Sequence, residues 1–254
     1  LLSCAKTMSA VSKVKVPLTT IPRFQKEAAE IALQMSQFSV DELERLLRVN
    51  AKIAVENYKR YQAFHAETTP ELPALLAYTG IVFKRLNPKD FSAEDFGYAQ
   101  EHLRLTSFCY GLLRPLDVIR AYRLEGDVVL PELGNQTLFS YWRSRLTDTF
   151  IEDIRSAGGI LCNLASDEMK SLFDWKRVES EVRVVTPEFH VWKNGKLATI
   201  VVYTKMSRGE MTRFILKNKI GNPEELKGFS WEGFEFDESL SDERKLVFIN
   251  GMGE

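Results

Sequence analysis

Strand-like and helix-like runs mix along this chain without a regular βαβ rhythm, and that order constrains the fold more than any other feature. A doubly wound nucleotide fold alternates strand and helix in step and opens on a glycine-rich turn. No GxGxxG and no P-loop occurs here. The alternative is a mixed α/β (α+β) chain, and the local signals agree with it. Residues 1–4 read as a short buried strand followed by a polar loop to about Thr20. Apolar spacing predicts helices over residues 21–37, 92–107 and 138–155, the second with Phe96, Ala99, Leu103 and Thr106 along its inner stripe. Residues 159–164 read as a buried strand running into Ala165-Ser166-Asp167-Glu168. Residues 182–192 and 197–204 are β-rich runs separated by Lys193-Asn194-Gly195-Lys196, and Asn-Gly between two such runs predicts a hairpin.

Length and hydrophobicity set the scale. At 254 residues and 44% hydrophobic content, one sizeable core can be buried, and no repeat or Pro/Gly/Ser linker divides the chain, so residues 1–254 form a single domain. No stretch approaches 18 consecutive apolar residues, which excludes a helical membrane span. The first seven residues lack the apolar core of a signal peptide, and the missing initiator Met implies that a few residues precede Leu1. Cys4, Cys109 and Cys162 are odd in number, widely spaced and without a CxxC, against both a disulfide framework and a zinc site. They fit small apolar residues in or near the core, in a reducing, cytoplasmic compartment. The composition calls for no metal and no cofactor.

The net charge of −1 does not advertise a polyanionic partner, so any such partner must be held by a local patch. Charge is unevenly spread. Residues 193–219 carry seven basic side chains against the single acid Glu210, whereas residues 222–254 carry nine acids against three basic residues. Such segregation suits either two solvated faces or one basic face on a near-neutral protein.

Three constellations could carry chemistry. The first spans about residues 39–62. Ser39-Val40-Asp41-Glu42 is a capping box, Leu43, Leu46 and Leu47 follow at helical spacing, and Asn50 is placed to cap a second helix with Ala54, Tyr58 and Tyr61 on one face. The outline is that of a helix-hairpin-helix, with Arg48 and Asn50 where the turn glycines usually stand and Lys52 in the first turn beyond. An ordinary helical pair gives the same spacing. In the second, a strand is expected to deliver Lys205 to a helix capped by Ser207-Arg208-Gly209-Glu210. Lys205, Arg208 and free N–H groups would then meet at one helix start, where a phosphate or carboxylate fits. A capped helix with exposed basic residues is the alternative. The third holds Arg104, Arg114, Arg120 and Arg123 within residues 102–124, beside Asp117 and Glu125. Arginine suits a bidentate grip on phosphate, but either carboxylate could make the cluster structural. HExxH, GxSxG and metal-spaced His/Cys groups are all missing. His65, His102 and His190 lie far apart, and Asp167 and Glu168 at a strand end are the candidates for acid–base work.

Six ordered blocks tie these residues together. They are Ser3-Cys4-Ala5-Lys6-Thr7, Gln100-Glu101-His102-Leu103-Arg104, Tyr110-Gly111-Leu112-Leu113-Arg114-Pro115-Leu116-Asp117, Tyr122-Arg123-Leu124-Glu125, Asn163-Leu164-Ala165-Ser166-Asp167-Glu168 and Arg208-Gly209-Glu210-Met211-Thr212-Arg213-Phe214. In these blocks, at their spacing, the chain resembles the YaaA peroxide-stress family over nearly its whole length. The resemblance implies a compact α/β fold with a positively charged cleft and a helix-hairpin-helix falling on residues 46–54. It further implies binding to DNA and a role in limiting peroxide and iron-driven damage. Two positions depart from the family pattern: Cys4 replaces an expected proline, and Met169 an expected aromatic residue.

Two functional expectations follow. In the first, the chain is a DNA-binding module with little sequence preference. Arg48, Asn50 and Lys52 of the hairpin and Lys6, Arg114, Arg123, Lys205 and Arg208 of the cleft would meet phosphates. In the second, the same basic residues hold a nucleotide or nucleic acid while Glu168 or Asp167 acts as acid or base. Tyr122, Asn163 and Ser166 would then line the cleft, since they exceed what nonspecific phosphate binding requires.

Overall fold

The computed structural model describes residues 1–193 and 195–251. Among the described residues, ten α-helices and eleven mostly short strands follow one another in the irregular order that the sequence suggests. The first part of the chain is mostly helical: α1 (Gln25–Met35), α2 (Val40–Leu47), α3 (Ala51–Ala63), β1 (Glu71–Pro73), α4 (Ala74–Ala77), α5 (Ile81–Leu86) and α6 (Ala93–His102). Short strands dominate the middle, with β2 (Leu105–Ser107), β3 (Gly111–Leu113), β4 (Val118–Arg120), β5 (Val129–Leu130) and β6 (Gln136–Thr137), before the long α7 (Leu138–Ser156). The last part contains β7 (Ile160–Cys162), α8 (Asp167–Lys170), α9 (Trp175–Glu181), β8 (Arg183–Lys193), β9 (Lys196–Ala198), α10 (Val201–Asn218), β10 (Phe234–Asp237) and β11 (Lys245–Asn250).

Helix starts are set by capping. Ser39 and Glu42 exchange side-chain and backbone hydrogen bonds at α2, and Ser92 and Asp95 do the same at α6. Asn50 caps α3 by accepting from the Ile53 N–H at 3.0 Å. Residues 21–24 stay outside α1, since Pro22 disfavours a helical backbone at Ile21.

The main sheet has the order β10-β11-β8-β7, with β9 folding back on β8. Strands β7, β8 and β11 run parallel, and β10 is antiparallel to β11. Helices α8 and α9 make the crossover between β7 and β8, and a longer connection through β9, α10 and β10 makes the one between β8 and β11. At the β7 side, Leu1 pairs with the end of that strand, its nitrogen donating to the Cys162 carbonyl at 2.8 Å. The Leu164 N–H donates to the Leu1 carbonyl, while Leu2 bridges Leu105. The N-terminal segment thereby ties β7 to the β2–β3 hairpin.

One core joins these pieces, with Tyr61, Phe96, Trp142, Phe150, Phe173, Phe234 and Phe248 among its largest fully buried side chains. Each contributes roughly 1.5–3 kcal/mol by leaving water. Gly111 lies at φ +69°, and a Cβ there would stand 2.7 Å from the Trp142 ring, so the bare backbone lets α7 close on β3. All three cysteines are free thiols, Cys109 buried and Cys4 and Cys162 partly so.

Two expected elements differ. The helix expected over residues 92–107 ends at His102, because residues 105–107 pair with β3, and Thr106 serves that hairpin instead of a helical stripe. The strand expected over residues 197–204 stops at Ala198, and Val201 opens α10. Its Val-Val-Tyr-Thr start has β propensity, which packing of the helix against α5 overrides. Gly209 marks that packing: a Cβ there would meet the Val82 carbonyl oxygen at 2.3 Å. The β8–β9 hairpin is present with Lys193 opposite Lys196, and Asn194 lies outside the described residues.

Candidate functional site

A cavity of about 320 Å³ opens where five segments meet: residues 2–7, the start of α5, residues 122–124, the Ser166–Met169 stretch and the facing side of α10. Its lining contains Lys6, Arg123, Lys205 and Arg208 against one acid, Glu168. Lys205 and Arg208 reach it from the interior of α10, not from a helix start. The expected capping box at Ser207–Glu210 and its anion-binding N–H groups are therefore absent; the buried Ser207 and Gly209 pack inward in mid-helix. What remains is geometry. Positions 201, 205 and 208 fall on one helical face, so both cations point the same way.

Residues 122–124 deliver Arg123, held from behind. The buried Tyr61 hydroxyl of α3 donates to the Arg123 carbonyl at 2.6 Å. Glu125, buried, accepts both Lys6 Nζ bonds, at 2.9 and 2.8 Å, and lies 3.7 Å from Arg123 Nη2. One carboxylate thus serves two cations and leaves a positive balance there. Arg123 Nε and Arg208 Nε are both buried without a hydrogen-bond partner. Burial pulls the Arg208 guanidinium below its usual pKa, partly offset by the charge of Asp167. Lys205 has no ion-pair partner among the described residues.

Other walls are finished internally. The Tyr122 hydroxyl lies 2.7 Å from that of Tyr78 and 2.6 Å from Ser107 Oγ, a closed buried chain whose burial raises both phenols well above their usual range. Ser3 Oγ accepts from the Ser166 N–H at 2.8 Å and joins its hydroxyl at 3.2 Å, fixing the entry to α8. Thr106 Oγ1 accepts from the Cys4 N–H and donates to Met169 Sδ at 3.1 Å. Burial pushes the Cys4 thiol up to about 12, with the Glu168 and Glu125 charges adding to the effect and Thr106 opposing it, so this cysteine stays protonated.

The helical pair stands beside the same mouth. Arg48, at φ +51°, closes α2 and donates to Asp127. The Asp127 hydrogen bond is the largest cause of its raised pKa, and the charges of Glu125 and Glu168 contribute as well.

The sequence profile of the family described as "Peroxide stress protein YaaA" matches residues 1–240. The chain belongs to that family. Among relatives of this YaaA-family chain, a UPF0246 protein of Bacteroides thetaiotaomicron is 99% identical across all of this chain and 99% of its own length. A Bacteroides fragilis UPF0246 protein is 78% identical over the same shares. One from Crocosphaera subtropica is 38% identical across 98% of each chain.

Not every residue singled out in the YaaA-family blocks reaches the cavity. Arg114 does not: its backbone N–H and guanidinium surround the fully buried Asp117 carboxylate at 2.8 to 3.1 Å. Asp167 is not part of the lining: it pairs with Lys170, while its charge still acts on Arg208. Asn163 is buried behind the lining, its Oδ1 accepting from the Ala165 N–H and its Nδ2 unpartnered. Conversely, the apolar wall of Ile81, Val82, Phe83 and Phe108 carried no chemical signal and was invisible to motif reasoning. Among the described residues, no group of three or more His, Cys, Asp or Glu is arranged to hold a metal, and no helix is long and apolar enough to cross a membrane.

Proposed function

We propose that this chain acts in the peroxide stress response by binding DNA, gripping phosphates at the cavity mouth and at the α2–α3 hairpin. One observation carries the reading: four basic residues line the cavity, and among the described residues Lys205 has no ion-pair partner and Arg208 Nε and Arg123 Nε no hydrogen-bond partner. The two buried arginine nitrogens cost free energy while they lack partners, and a phosphate restores them, with the exposed Lys205 adding charge beside them. The hairpin supports the same ligand. Asn50 uses its side chain on the Ile53 N–H, so the Ala51 and Lys52 N–H groups at the start of α3 are left without intrahelical partners. Lys52 is exposed beside them, and Arg48 needs only to exchange Asp127 for phosphate. No recognition helix offers base-reading side chains, so sequence preference is small. Covering DNA in this way would keep iron-driven oxidants from its backbone.

Fluorescence anisotropy on two unrelated duplexes over a salt series tests the reading. Affinity is expected to fall steeply with salt and to agree between duplexes within about threefold. Lys205→Glu is expected to weaken binding at least about tenfold, Lys52→Glu by less, and Glu168→Gln to leave it unchanged or stronger. Salt-independent binding, or full affinity in folded Lys205→Glu, would overturn it.

A further inference from the structure

The cavity is too small for the ligand that its charge attracts. Pockets that take one small molecule run to about 300–1,000 Å³, and this one, at 320 Å³, sits at the low end. A duplex cannot enter it. One nucleotide can.

Its lining divides as a nucleotide divides. Ile81, Val82, Phe83, Phe108 and Met169 offer an apolar and aromatic wall large enough for a base. Arg123, Lys205 and Arg208 offer charge for a phosphate, two of them with a buried, unsatisfied Nε. Glu168 is the one carboxylate among the described residues of the lining, and a carboxylate accepts the N–H of an exocyclic amine or the O–H of a sugar. A free inorganic anion would use the charges and leave the apolar wall wet. A simple apolar molecule would leave the charges unpaired. A sugar phosphate would waste Phe83 and Phe108.

From this juxtaposition of aromatic wall, lone carboxylate and two arginines with unsatisfied Nε atoms we infer that the cavity is a single-nucleotide pocket. It takes one 5′-phosphorylated nucleoside with its base on the Phe83–Phe108 side. The inference rests on the phosphate grip proposed above and names what enters behind it. Two sources supply this chemistry: a free mononucleotide, or one unpaired nucleotide swung out of a duplex, which costs least at a mismatch.

The test measures AMP, adenosine and inorganic phosphate by calorimetry, and a matched duplex beside one carrying a single mismatch by anisotropy. Each is run on the wild type and on Ile81→Trp, which fills the cavity without changing charge. Ile81 is only partly buried, and the variant is used after its melting curve matches that of the wild type. AMP is expected to bind saturably, at least tenfold tighter than phosphate or adenosine, and Ile81→Trp to weaken it at least tenfold while changing matched-duplex affinity less than threefold. A mismatch preference lost in Ile81→Trp assigns the nucleotide to DNA, and its absence beside firm AMP binding assigns a free nucleotide. Arg208→Met is the second variant, expected to weaken AMP by a similar factor without blocking the cavity. If neither AMP nor the mismatch responds to Ile81→Trp while the matched duplex still binds with steep salt dependence, the pocket inference falls and the DNA reading stands. If AMP binds as expected and the matched duplex does not, the DNA reading falls and the pocket remains.

Discussion

The two ends of α10 carry similar charge and use it in opposite ways. Toward the C-terminus, Arg213 grips Asp90 and the neighbouring carbonyls of Leu86 and Asn87, Lys217 donates to Asp95 at 2.8 Å, and Lys219 pairs with Glu94. Toward the N-terminus, Lys205 and Arg208 line the cavity, and no ion pair neutralises either among the described residues. Sequence alone makes these five cations look alike. Their surroundings separate them: the first three face the acidic start of α6 and the turn before it, the other two face a hollow. Paired charge on this helix builds the fold, and unpaired charge is what the fold holds ready for a ligand.

Gly209 lies where the two halves meet, and replacing it should produce the largest effect. A Cβ 2.3 Å from the Val82 carbonyl oxygen cannot be relieved by a rotamer, so Gly209→Ala must push α10 off α5. A loss of about 3 kcal/mol is expected, which for a chain of this size lowers the melting temperature by about 6–12 °C. Calorimetry checks it; a melting temperature within about 2 °C of wild type would mean that the helices are not in fixed contact.

Asp95→Asn breaks the paired end alone. Burial pushes the Asp95 carboxyl up, but hydrogen bonds from Lys217 and Ser92 outweigh it and hold the pKa at about 2. The variant should lose about 2 kcal/mol at pH 7 in urea unfolding and keep its DNA affinity. The sign with pH follows. The folded pKa lies below the unfolded value near 3.9, so the contribution is present above about pH 4 and fades as the pH falls toward 2. The gap between wild type and variant should close over that window. A gap that persists at pH 2 would remove the ion pair as its cause.

Much of this was legible in the sequence wherever the signal was local. The capping box at Ser39 and Glu42, the Asn50 cap, the extent of α7 and the β8 run needed only neighbours in the chain. Lys6, Arg123, Arg208, Glu168 and Ser166 are marked by the blocks and Lys205 by its place before Arg208, and all six line one cavity. The failures were long-range. Nothing beside Val201–Thr204, where Val201, Val202 and Tyr203 stay exposed, reveals that the turns beyond them pack on α5 at Gly209 as a helix, so the β-like stretch suggests a strand. Arg114 resembled Arg123 until Asp117 claimed it and Glu125 divided itself between Arg123 and Lys6. The apolar wall of the cavity reads as ordinary core, because a residue lining a hollow and one filling a core have the same composition.

The smallest effect is the sharpest test, and it concerns Arg208. Methionine keeps a straight, helix-compatible stem that can lie along the same cavity wall while removing the guanidinium. If Arg208 serves the fold, as Arg213 does, Arg208→Met should cost about 2 kcal/mol or more. The unpartnered Nε and the lowered pKa argue the reverse, because a charge that has lost water and gained no partner lowers stability. Arg208→Met is therefore expected to unfold within about 1 kcal/mol of wild type, on the more stable side, since apolar replacement of poorly compensated buried charge is neutral or stabilising. The same protein should bind duplex DNA at least about tenfold more weakly. Urea unfolding and anisotropy on one preparation read both numbers. Loss of stability together with affinity would place Arg208 with the paired end of the helix, and the contrast between the two ends would disappear.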